Sequence, residues 1–110
     1  MDPPTDAERR RQAELADQLA KAGFVLPGSL IERTIACGKP SCRCQADPPQ
    51  LHGPYHQWTR KIAGKTLTRN LTDEQAATYR PWFDNARRLR ELTAELEALS
   101  LDIFQRNEGA

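Results

Sequence analysis

"CGKPSCRC", residues 37–44, holds all three cysteines of the 110-residue chain. Cys37 and Cys42 are spaced C-x₄-C, within the range of zinc-binding turns, and Cys44 follows two residues later. Gly38 permits the tight reversal a metal knuckle needs, and Pro40 stiffens the loop without requiring a donor. Cys42 and Cys44, if extended, share a face, so both sulfurs can approach one ion. A closed tetrahedral site wants a fourth ligand. After the polar loop "QADPPQL" (45–51) comes His52, then the turn residues Gly53-Pro54. His52 stands at the entrance to a strand expected to run antiparallel to the one ending at Cys37. Pairing of those strands brings its imidazole to the thiols. The expected ligands are therefore Cys37, Cys42, Cys44 and His52 around Zn²⁺, with His56 as the fallback fourth ligand.

Two other readings stand beside metal. The thiols are three reduced structural cysteines, or His52 or His56 activates one of them as a nucleophile. Against a thiol enzyme, the chain carries no separate nucleophile motif and little sequence from which to build a substrate pocket. Four protein ligands leave zinc no open position, so the expected site is structural and non-catalytic.

Outward from the cysteines the pattern is strand. "SLIERTIAC" (29–37) alternates Ile31, Ile35 and Cys37 toward the expected core, with β-branched residues enriched. "PYHQWTRKI" (54–62) and "KTLTRNL" (65–71) flank Ala63-Gly64, a hairpin signal. Ala63 suits a type I′ turn poorly, so a bulged turn is expected there. Trp58 and Ile62 share one parity, as do Leu67 and Leu71, while Gln57, Thr59, Lys61, Thr66, Thr68 and Asn70 take the other. The result is a three-stranded antiparallel sheet with one apolar face and one polar, partly basic face.

Helices flank the sheet. Thr5-Asp6-Ala7-Glu8 and Thr72-Asp73-Glu74-Gln75 both have capping-box spacing. The first helix spans 5–22, with Leu15, Leu19 and Ala22 on a thin apolar face and Gly23 as its stop; Phe24, Val25 and Leu26 are expected to plug the core. The second helical segment spans 73–106, and Pro81 should kink it or begin a new helix. From Trp82 a heptad emerges, with Leu89, Leu96 and Ile103 at one position and Leu92 and Leu99 at its partner. Asn85 and Arg106 interrupt it. This stripe lies across the sheet, pairs with the first helix as an antiparallel hairpin, or joins a second copy or partner protein through Leu89, Leu92, Leu96 and Leu99.

The whole is expected to be one α+β domain. Its net charge of +1 divides into −1 over residues 1–29, +5 over 30–71 and −3 over 72–110. The basic middle segment points to an anionic partner. No apolar run reaches membrane-spanning length, and the N-terminal stretch lacks a signal peptide's apolar core. The expected location is a reducing cytoplasm, where clustered thiols bind metal more readily than they form disulfides.

Residues 26–71, with Gly28-Ser29-Leu30, Glu32-Arg33, C-G-K-P-x-C-x-C over 37–44, His52-Gly53-Pro54-Tyr55 and Gly64-Lys65, resemble a group of small bacterial proteins classed as a domain of unknown function. The resemblance groups the thiols with His52 and implies no activity. The hairpin also looks like the arm-type DNA-binding domains of phage integrases, in which sheet residues enter the major groove. The expectation is a zinc-stapled nucleic-acid-binding module, acting on DNA through Lys39, Arg43, Thr59, Arg60, Lys61, Lys65, Thr66, Thr68 and Arg69. Arg60 and Arg69 have core parity and reach out only at strand ends. The alternative is an interaction adaptor that docks a partner through its helices.

Overall fold

The computed structural model describes residues 1–109. In chain order the elements are α1 (Asp6–Ala20), β1 (Ser29–Ile35), β2 (His52–Ile62), β3 (Lys65–Leu71) and α2 (Asp73–Glu108), with a 3₁₀ turn at Arg43–Gln45 between β1 and β2. The architecture is α+β: an N-terminal helix, a three-stranded antiparallel sheet in the order β1-β2-β3, and a long C-terminal helix. The chain divides into two compact units, one of residues 26–83 and one of residues 1–25 with residues 84 onward. No helix among the described residues is long and apolar enough to cross a membrane.

In the sheet unit, Trp58 sets the register. It pairs with Leu30 on β1 and Arg69 on β3, while His56 pairs with Glu32 and Leu71, so these side chains share a face. The opening turns of α2 cover part of that face. Phe83 meets Trp58 edge-on with ring centroids 6.0 Å apart, and Ala76 and Phe83 are buried. The Trp58 indole Nε1 donates to the Pro27 carbonyl at 2.8 Å, which fixes the ring.

β1 departs from the expected parity. Leu30 faces Trp58, whereas Ile31 lies opposite Gln57 on the polar face and is 47% exposed. Both Leu30 and Ile31 are apolar, so β1 alone carries a weak pattern, and a one-residue change of register flips every side chain. The partner strand decides the register here. The β2–β3 connection also differs from expectation. Ile62 pairs with Lys65 across an unbroken ladder, and Ala63 and Gly64 both take positive φ, 50° and 80°. This is the two-residue primed arrangement, whose twist matches that of the strands, rather than a bulged turn.

The helical unit is an antiparallel pairing of α1 with the later part of α2. Thr5 caps α1 through a complete capping box with Glu8. Leu15 is fully buried, Ala86 and Leu92 are nearly so, and Leu89, Leu96, Leu99 and Ile103 are half-buried. Both residues that interrupt the heptad bond across to α1 or to the segment that follows it. Arg106 grips Glu8 with two bonds of 2.9 and 3.0 Å, and Asn85 donates to the Phe24 carbonyl at 2.9 Å. Arg11–Glu95 and Arg88–Gln18 bonds lie between them. Phe24 and Val25 do not plug a core as expected, being 74% and 40% exposed, whereas Leu26 is half-buried and its N–H donates to the Trp82 carbonyl. Pro81 neither ends α2 nor starts a new helix. It lies inside one continuous element, at the cost of the bond its missing N–H would give Ala77.

Two predictions follow from these local features. Ala63 holds a conformation that residues other than Gly, Asn and Asp avoid, so Ala63→Asn should stabilise the protein by about 1 kcal/mol, read as a higher thermal midpoint. Arg106 holds the Glu8 carboxyl down from its ordinary 4.5 to about 2, aided by the bond from the Thr5 backbone. A lowered carboxyl stabilises above its unfolded value and loses that contribution as acid protonates it. The wild type should therefore lose helix stability between about pH 4.5 and 2, and Glu8→Gln should lose less over that window in melts followed by circular dichroism.

Candidate metal centre

The ligands converge because β1 and β2 slip register near their open end. Regular pairing runs to Arg33–Tyr55 and resumes at Ile35–His52, leaving an irregularity between them. Gly53 sits in it at φ +113°, and a Cβ there would come 2.9 Å from the Arg33 carbonyl oxygen. Only glycine fits this approach. His52 is thereby set across from Ile35, two residues before Cys37.

The loop then returns the other two thiols. Lys39 carbonyl accepts from Cys42 N–H at 3.1 Å, and Cys42 carbonyl accepts from Gln45 N–H at 3.0 Å. Cys44 is therefore not in extended chain, as the spacing suggested, but in the 3₁₀ turn. The turn rather than a strand face brings Cys42 and Cys44 to one point, and Cys44 is buried.

The sulfurs of Cys37, Cys42 and Cys44 and a ring nitrogen of His52 all lie within 4.8 Å of one another. Cys37 Sγ and Cys44 Sγ are 3.5 Å apart, and Cys42 Sγ is 3.2 Å from His52 Nε2. A tetrahedral ion with metal–sulfur bonds of about 2.3 Å and metal–nitrogen bonds of about 2.0 Å separates its donors by roughly 3.5–3.8 Å. The two shortest separations lie at or just below that range and none exceeds 4.8 Å, so small side-chain rotations would let the four groups hold such an ion. They also have outer support: the Cys37 N–H points to Cys44 Sγ at 3.2 Å, and Gln45 Nε2 donates to the Cys37 carbonyl at 2.6 Å. Nothing in the motif marks Gln45, which the 3₁₀ turn carries back over Cys37.

The thiols are electrostatically unequal. Cys42 is held down from 9.0 to about 6, chiefly by the Cys44 backbone N–H, then by the Cys37 and Cys44 thiols and by His52. At Cys37 the Lys39 backbone N–H favours the thiolate, but the Cys44 and Cys42 sulfurs beside it outweigh that bond and push it up. Three sulfurs this close cannot all ionise without a cation among them. Ile35, Cys37, Lys39, Cys42, His52 and Tyr55 line a recess of about 280 Å³ that opens this side of the cluster.

His56 is elsewhere. Its Nε2 bonds Asp73 at 2.8 Å, and its Nδ1 is buried, 3.8 Å from Glu32 and without a hydrogen-bond partner among the described residues. His52 alone completes the cluster.

The expected nucleic-acid residues separate into three groups. Thr59, Lys61, Thr66 and Thr68 share the polar face, where Thr59 pairs with Thr68 and Lys61 with Thr66. Arg33, Gln57 and Asn70 have the same parity and extend that face; Arg33 was not foreseen. Arg60 and Arg69 lie on the Trp58 face, as their parity requires, and Lys65 joins that parity opposite Ile62. Lys39 and Arg43 belong to the ligand loop and are exposed.

A family model described as a domain of unknown function, DUF6788, matches residues 5–80. The chain belongs to this family. The matched segment contains α1, the whole sheet, the opening of α2 and all four candidate ligands. Comparison with curated proteins and with solved structures found no match to the chain.

Metal content tests the ligand assignment within the DUF6788 chain. His52→Ala should lose bound metal on purification while His56→Ala keeps it, as measured by elemental analysis. Gln45→Ala should retain the ligands yet bind metal about 10–100-fold more weakly in competition with a chromophoric chelator, the usual effect of removing an outer-layer partner.

Proposed function

We propose that this DUF6788 protein is a non-catalytic, zinc-stapled module that binds nucleic acid, with DNA as the expected form, through the polar face of its sheet. Three thiolates and one imidazole suit zinc among the common divalent ions, and four protein donors leave no coordination position for a substrate. The metal's role would be to clamp the loop between β1 and β2 in a unit with few buried side chains.

The observation that carries the binding assignment is the composition of the polar face. Arg33, Gln57, Thr59, Lys61, Thr66, Thr68 and Asn70 share one side of the sheet, and none of them is buried. Antiparallel ribbons with such faces can enter a major groove, where hydroxyls and amides meet base edges. The surrounding charge favours an anion. Residues 26–83 carry eight Lys/Arg against four Asp/Glu, net +4, whereas the rest of the chain carries net −3.

A second reading, docking of a partner protein through the helices, has its own observation. Met1, Leu101 and Phe104 are 98%, 52% and 56% exposed in the acidic helical unit. Labelled duplex and single-stranded pools titrated at low and physiological salt separate the two readings. Binding should weaken steeply with salt, each lost phosphate contact lowering the logarithmic slope by roughly one. The double variant Arg33→Glu, Lys61→Glu should abolish duplex binding with zinc content and helicity intact. Absence of salt-sensitive binding to either pool would leave the docking reading in first place. In that case Phe104→Asp should break partner capture.

A further inference from the structure

We propose that the recess between β2, β3 and the opening turns of α2 binds a nucleotide whose base is unpaired, with Arg69 holding its phosphate. This site is on the Trp58 face of the sheet, so it does not depend on duplex binding by the polar face. The recess measures about 340 Å³ and is lined by Trp58, Arg69, Leu71, Gln75, Tyr79 and Trp82. That is the lower end of the range for small-molecule sites, about 300–1,000 Å³.

The lining selects a planar anion. Tyr79 and Trp82 stand nearly perpendicular, 79° between planes with centroids 5.0 Å apart, and both border the recess. Trp58 is fixed by its bond to Pro27 and by Phe83, and so is ordered before any ligand arrives. Stacking on such rings is tolerant of base identity. Arg69, cross-strand partner of Trp58, makes no side-chain hydrogen bond or ion pair among the described residues. The Arg60 guanidinium lies 4.5 Å from the Trp58 ring centroid and adds positive charge at the adjoining recess.

Gln75 spends its Oε1 on the Thr72 N–H as the helix cap. Its amide N–H₂ is left to donate to a base carbonyl. No carboxylate lines the recess, so two arginines and no acid disfavour a cationic guest of an aromatic cage. A purely apolar guest would leave Arg69 unmatched. A base carrying a phosphate satisfies all of these groups, whether as a free mononucleotide or as an unpaired residue of a single strand.

The chain contains two tryptophans, Trp58 and Trp82, and both line this recess. Intrinsic fluorescence therefore reports on the site directly. Metal-loaded full-length protein would be titrated with AMP, adenosine, a short oligothymidylate and the same oligomer with abasic residues. Saturable quenching by AMP is expected, with adenosine about tenfold weaker because the charge-assisted phosphate bond is lost. Arg69→Gln should erase that preference, and Tyr79→Ala should weaken AMP and adenosine alike by roughly tenfold. Tighter binding of oligothymidylate than of AMP, lost in the abasic oligomer, assigns the site to single strands; the reverse order assigns it to free nucleotides. No saturable quenching by AMP or oligothymidylate in the millimolar range overturns the proposal, and so does equal affinity for AMP and adenosine. The wild-type comparison alone decides if a variant fails to fold. The Arg33→Glu, Lys61→Glu variant has duplex binding as its own readout, so either reading can fail without the other.

Discussion

The sheet unit is short of core. Within residues 26–83 only Cys44, Ala76 and Phe83 are buried apolar side chains, and neither Ala76 nor Cys44 is large. Burial of so little surface cannot offset the ordering of a loop as long as that between β1 and β2. The convergence of Cys37, Cys42, Cys44 and His52 bears on that constraint, because it brings the exit of β1, the loop and the entrance of β2 to one point where a metal ion could hold them. Metal binding to such a set is strongly coupled to folding. The same constraint explains the Gly53 irregularity. Without the slip between Arg33 and Ile35, the regular register would pair His52 with Ala36 and turn its ring to the face opposite that of Ile35 and Cys37.

The helical unit meets the same shortage by another route. α1 buries one large side chain, Leu15, so apolar contact alone holds it weakly against α2. Polar groups at the heptad positions supply the direction. Arg106 on Glu8 at one end and Asn85 on the Phe24 carbonyl at the other bracket the pair. They fix an antiparallel order that a uniform leucine stripe would leave open. The Arg106–Glu8 pair is a forked, charge-assisted contact in which Glu8 also completes the α1 capping box. One carboxylate therefore sets both where α1 begins and where it lies on α2.

Legibility in the sequence followed the range of each interaction. Features decided within a few residues were readable: both capping boxes, the β2–β3 hairpin, and the grouping of three thiols with a histidine placed just before a turn. Features decided by a partner strand were not. Ile31 and Leu30 are both apolar, and only pairing with Trp58 tells which points inward. Cys42 and Cys44 have the spacing of a shared strand face, yet the backbone between them closes a 3₁₀ turn, a choice set by bonds to Lys39 and Gln45. His52 and His56 differ in role because the register slip falls beside one of them, and Gly53 is the sole local sign of it.

Trp58 shows why the inner face of this small sheet is only partly a core. In most half-covered sheets one face is core and the other meets solvent. Here α2 covers only part of the inner face, and Trp58 sits at the margin, with Phe83 on the covered side and Arg60 and Arg69 on the open side. An arginine beside a ring at such a margin remains solvated while its stem covers apolar surface, so its presence does not violate the burial pattern. The core-parity arginines that look misplaced in a strand are thus compatible with an incomplete inner face. Their charge makes that uncovered portion unsuited to another apolar element of the same chain, and that is the physical basis for a recess there instead of a closed core.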